Sequence, residues 1–108
     1  MFGVKLHKNK WLYKEQESIQ NITDAFKGEE MLSQYNVNGY RIDLYFPKYK
    51  IAIECDELGH RDRDVSYEIK RQMCIENLLS CQFIRFNPDA EDFSIFKVIN
   101  EIFKKISS

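Results

Sequence analysis

Glycine and proline are scarce in this chain, at four and two of 108 residues. No segment is low in complexity and no unit repeats. No apolar run approaches the ~20 residues that a membrane-spanning helix needs, and no signal-peptide pattern opens the chain. These absences lead us to expect an intracellular protein with no membrane partner. The three cysteines, Cys55, Cys74 and Cys81, form no CxxC pair. A disulfide framework or a structural zinc site is therefore poorly supported. A GxGxxG turn, a P-loop and a serine-nucleophile elbow are also missing, which argues against dinucleotide binding, P-loop hydrolysis and esterase chemistry. A net charge of −1 argues against a simple basic coat for nucleic acid.

What is present suffices for one folded domain. Hydrophobic residues make up 44% of the chain and aromatic residues 14%, enough for a core of its own. Charge is unevenly spread. Residues 1–14 carry Lys5, Lys8, Lys10 and Lys14 and no acid, whereas Glu54 to Asp64 carries five carboxylates against Arg61 and Arg63. Residues 1–12 read as a basic arm or linker, suited either to contact with nucleic acid or to a solvated junction. Residues 13–108 read as the folded domain.

Hydrophobic spacing predicts the elements. Ile19, Ile22, Ala25 and Phe26 recur at helical intervals from Tyr13 to about Phe26, and Gly28 offers a stop. Residues 30–37 resemble a short strand. Asn38-Gly39 is a two-residue hairpin signal, followed by a strand from Tyr40 to Phe46, a turn at 47–50, and a strand from Lys50 to Asp56. A helix is expected from about Asp64 to Leu79, a strand from Gln82 to Phe86, and a last helix capped by Asp92. The first three strands read as a meander. The helix between the third and fourth allows a parallel crossover. The fold class is α/β, a mixed four-stranded sheet flanked by helices.

The candidate site lies in Ile51-Ala52-Ile53-Glu54-Cys55-Asp56-Glu57-Leu58-Gly59-His60. An apolar run marks a buried strand, and Glu54 and Asp56 then follow at alternate positions on one face. Two like charges near a core cost solvation and repulsion, and a bound cation relieves both. Asp43, on the preceding strand, adds a third carboxylate. Asp43, Glu54 and Asp56 thus read as a hard-metal site, with Mg²⁺ expected and Mn²⁺ as the substitute. His60 suits proton transfer or phosphate contact better than magnesium ligation. Glu17 on the first helix is the candidate for orienting water or metal, with Glu15 as its competitor. Arg71 and Arg85 are candidates for phosphate contact or for pairing with the carboxylates.

The order of elements, with Asp43 on the second strand and Glu54 on the third, resembles the PD-(D/E)XK nuclease superfamily. Where the strict motif has a lysine, this chain has Asp56. The blocks Arg41-Ile42-Asp43-Leu44-Tyr45-Phe46, Ala52 through His60, Glu68-x-x-Arg71 and Cys81-Gln82-Phe83-Ile84-Arg85-Phe86 are similar to the very-short-patch-repair endonuclease branch and to homing-type, phage and viral relatives. The resemblance spans most of residues 13–106. It implies a restriction-endonuclease-like αβββαβ core with one extra C-terminal helix, and a metal-dependent endonuclease acting on DNA. It also implies assisting roles for Glu17 and His60. A catalytically silent DNA-binding or assembly module on the same fold is the alternative. So small a domain leaves little room for sequence reading, so specificity is expected from a fused domain, from DNA structure or from a homodimer.

Overall fold

A computed structural model describes the backbone of residues 2–56 and 64–108, with side chains in those ranges from Lys14 onward. The order is α1 (Phe2–Ala25), β1 (Leu32–Val37), β2 (Tyr40–Phe46), β3 (Ile51–Cys55), α2 (Val65–Leu79), β4 (Gln82–Phe86) and α3 (Ile95–Ser107). The sheet is mixed, in the order β1-β2-β3-β4. β1 to β3 form the antiparallel meander, and β4 lies parallel to β3 after the α2 crossover.

Local chemistry accounts for most boundaries. Asn38 and Gly39 have φ of 53° and 84°, the left-handed pair that a two-residue hairpin needs, and Val37 pairs with Tyr40 across it. The Asn36 side chain accepts from Gly39 N–H at 3.1 Å and braces the turn. Asp64 caps α2 by accepting from Ser66 N–H at 2.9 Å. Ser80 closes that helix in the left-handed region, donating its N–H to the Glu76 carbonyl at 2.7 Å.

Two boundaries differ from expectation. α1 starts at Phe2 rather than near Tyr13. Residues 4–25 contain neither glycine nor proline, so nothing in them stops a helix. α3 starts at Ile95 with Ser94 in the cap position, not at Asp92. Successive turns, from Ala90 N–H to Asn87 carbonyl and from Phe93 N–H to Ala90 carbonyl at 3.1 Å each, occupy the preceding residues.

The sheet separates two apolar layers. On one face Ile22 and Phe26 of α1 and Val98 and Ile102 of α3 meet Leu44, Phe46, Ile51, Ile53, Ile84 and Phe86. On the other, Ile75 of α2 meets Val37, Ile42, Tyr45, Ala52 and Cys81. Ile42 and Tyr45 share that second layer although they are three residues apart, so strict alternation fails around Asp43. The break coincides with Gln34 of β1, whose φ is 52° and which drops out of the pairing between Ser33↔Leu44 and Tyr35↔Ile42. Asp43 is buried, because β2 is a central strand covered on both faces and not the edge strand on which it would face solvent. The sheet thus carries carboxylates of its two central strands to the end where α1 and α2 flank it.

Candidate active site

An open cleft of about 640 Å³ lies at that end. Glu15 of α1, Arg41 and Asp43 of β2, Glu54 and Cys55 of β3, and Arg85 of β4 line it. Asp64, Tyr67, Glu68 and Arg71 contribute the α2 side. Three arginines thus stand among five carboxylates. Such mixed charge on a concave surface suits a ligand that brings both an anion and a cation.

Asp43 is 7% exposed, and its Oδ2 accepts from Cys55 N–H at 2.8 Å. Burial pushes its pKa from 3.8 to about 6, against the lowering effect of that backbone bond. The charges of Glu15 and Glu54, and a hydrogen bond with the Glu15 carboxyl, contribute to that same rise. A protonated carboxyl donating to a neighbouring carboxylate replaces the repulsion of two like charges by one shared proton. The Cys55 side chain packs on the α1 and α3 layer, away from Glu54, as the strand pattern requires.

Glu54 is 6% exposed and paired with arginine. Arg71 donates from its two terminal nitrogens to Oε1 at 2.6 Å and Oε2 at 2.7 Å. It also donates to the Arg41 carbonyl at 2.6 Å. Burial would lower the Arg71 pKa, but the Glu54 hydrogen bonds and charge outweigh it and the guanidinium is held more firmly protonated. Arg85, the neighbour of Glu54 across the parallel β3–β4 pair, approaches Oε1 at 3.2 Å. Its other terminal nitrogen donates to Gln72 at 2.8 Å.

Of the residues singled out in the sequence, Asp43, Glu54, Arg71 and Arg85 come together here. Glu17 does not: it is exposed, and Glu15 is the α1 carboxylate on the cleft. Residues two apart on a helix point about 200° apart, so only one of the two can face the sheet. Asp56 lies one residue past β3, half-buried, and donates its N–H to the Phe86 carbonyl at 2.7 Å. It is not among the described residues lining the cleft. His60 falls in residues 57–63, outside the described residues. Sequence reasoning missed Tyr67, a half-exposed ring of α2 on the cleft that meets Tyr40 edge-on with ring centres 6.0 Å apart.

Among the described residues no three carboxylate, histidine or cysteine side chains form a group able to hold a metal ion. The reason at Glu54 is visible: Arg71 engages both of its oxygens. The donors are nevertheless all hard oxygens in an open cleft. Mg²⁺ is commonly held by one or two carboxylates, waters and a substrate phosphate rather than by a closed protein cage. The donor set therefore fits a magnesium-type ion completed by substrate. No protein-family model, curated protein or solved structure matches the chain.

Proposed function

We propose that this chain is a divalent-metal-dependent DNA endonuclease, built on a PD-(D/E)XK core like that of the very-short-patch-repair branch. The observation that carries the reading is the meeting of Asp43 and Glu54, from adjacent central strands, with Glu15 in one open cleft that also holds arginines. The α/β architecture and its mixed sheet agree with that core in general terms.

In this reading Asp43 and Glu54 would hold Mg²⁺ or Mn²⁺, with Glu15 as the third carboxylate in place of Asp56 and as the α1 acid in place of Glu17. The ion would polarise a backbone phosphodiester and help activate water. His60, four residues past Asp56, accepts a proton from the attacking water near neutral pH. Pairing of two copies, or a fused domain, would supply sequence specificity.

The second reading is a silent DNA-binding or assembly module. One observation favours it: Arg71 forks both oxygens of Glu54, as a purely structural pair would. Incubation with plasmid, single-stranded and branched DNA in Mg²⁺, Mn²⁺ or EDTA separates the two. The endonuclease reading expects metal-dependent cleavage that is lost in Asp43→Asn and Glu54→Gln. Cleavage surviving both substitutions would move the active site elsewhere. Inertness with every substrate and metal would favour the silent module.

A further inference from the structure

Arg71 and Arg85 both reach Glu54 but are held differently. The Arg71 side chain is 9% exposed, and its donors satisfy both Glu54 oxygens and the Arg41 carbonyl. Removing it would strand a buried carboxylate, so it stays in place. The Arg85 side chain is 27% exposed and its contact with Oε1 is longer, at 3.2 Å. It is steadied from outside the pair, by Gln72 at 2.8 Å and by the Phe83 ring, whose centre is 5.0 Å from the guanidinium carbon. Both arginines line the cleft.

A carboxylate offers about four acceptor sites. Arg71 takes one on each oxygen of Glu54, whereas Arg85 stands 3.2 Å from Oε1 as an ion-pair neighbour and spends its hydrogen bond on Gln72. A cation approaching Glu54 therefore meets two guanidinium charges. A phosphodiester entering the cleft offers Arg85 a charge-assisted alternative of matching geometry. We propose that Arg85 is an exchangeable counter-ion: it leaves Glu54 for the DNA phosphate and so takes its positive charge away from Oε1, where the divalent cation binds. Anion and cation then load together, and each tightens the other by the same factor. The exchange rests on the endonuclease reading and adds to it an order of assembly and distinct roles for the two arginines. Arg71 positions Glu54, whereas Arg85 is the residue that meets substrate.

The test is a Mn²⁺ titration of the full chain, following the electron paramagnetic resonance signal of the free ion. It is run alone, with thymidylyl-thymidine (a single charged phosphodiester), and with its uncharged methylphosphonate analogue. Protein-free titrations correct for binding to the dinucleotide. In the wild type we expect the diester to tighten Mn²⁺ about tenfold and the methylphosphonate to have no effect. Arg85→Gln should bind Mn²⁺ more tightly than wild type without diester and gain little from adding it. If that variant fails to melt cooperatively, Arg85→Lys serves instead: it keeps the charge, loses the fork, and should show a clearly smaller gain. Absence of a gain in wild type, or an equal gain in the Arg85 variant, overturns the exchange. Mn²⁺ binding that Glu54→Gln still abolishes would then leave the endonuclease reading intact. Mn²⁺ binding that is absent, or indifferent to Glu54→Gln, would remove the site itself and the exchange with it.

Discussion

Arg71 and Glu54 form a buried two-pronged ion pair across 17 positions of sequence, with N–O distances of 2.6 and 2.7 Å. A third bond, to the Arg41 carbonyl, ties the same guanidinium to β2. One side chain of α2 thus fastens that helix to two central strands at the end of the sheet where the cleft opens. The pair fixes the orientation of the Glu54 carboxylate and the position of the α2 wall together.

Arg71→Ala should destabilise the chain by about 3–5 kcal/mol, because it leaves a buried carboxylate uncompensated. The double change Arg71→Met with Glu54→Gln removes both charges and should cost clearly less than the single change. Urea denaturation of the three proteins at neutral pH measures this. A single-variant loss below about 1 kcal/mol would mean that the pair does not hold α2 in place.

Asp43 gives the metal-free protein a pH dependence of defined sign. Its folded pKa is about 6, above the ordinary value of 3.8. Between these values the folded chain holds more protons than the unfolded one, so stability falls as pH rises. The contribution is fully present below the unfolded value and is lost as pH rises through the folded one, amounting to at most about 3 kcal/mol. Chemical denaturation in EDTA at pH 4 and pH 7 should show this loss as a difference between wild type and Asp43→Asn. Identical pH dependence in both proteins would refute the assignment.

Glu15 and Glu17 are expected to behave differently. Glu15→Gln removes a charge that raises the Asp43 pKa, so the Asp43 titration should move below 6. It should also lower cleavage by about 10²-fold or more if Glu15 helps to hold the ion or its water. Glu17→Gln, at an exposed position, should change neither. Carbon-13 NMR of the side-chain carboxyls resolves the titrations. A larger effect from Glu17 than from Glu15 would contradict the observed orientation of α1.

His60→Ala should lower turnover by about 10²–10⁴-fold if the imidazole does proton-transfer work, while leaving Mg²⁺ affinity nearly unchanged. Glu54→Ala should weaken the metal binding itself. Calorimetric titration of both variants separates the roles. Equal loss of affinity would make His60 a ligand and point to a transition metal such as Mn²⁺. Unchanged turnover would leave the carboxylates to orient water directly.

Much of the architecture was legible in local sequence. The bounds of β2 and β4 agree with their alternating or apolar runs, and the Asn38-Gly39 turn follows from its need for two left-handed residues. Ile51-Ala52-Ile53 marked β3 as central, so Glu54 could be recognised as a buried acid next to Asp43. These signals lie within a few residues of the features they specify, where backbone sterics and burial period decide the outcome.

Tertiary packing decided the rest. Whether Glu15 or Glu17 faces the cleft depends on how α1 is rotated against the sheet, and α3 shares in setting that docking. The partners of Arg71 lie 17 and 30 positions away in sequence, and no spacing rule connects a helix guanidinium to a strand carboxylate and a carbonyl of the next strand. The burial of Asp43 depends on β2 lying inside the sheet with a helix layer on each face, which the pattern of β2 alone does not announce. Residue type and local period fixed which groups could be charged, buried or helical. Their orientation and pairing were fixed only when α1 and α2 closed on opposite faces of the sheet, because desolvation and ion-pair energies depend on distances that exist only in the packed chain.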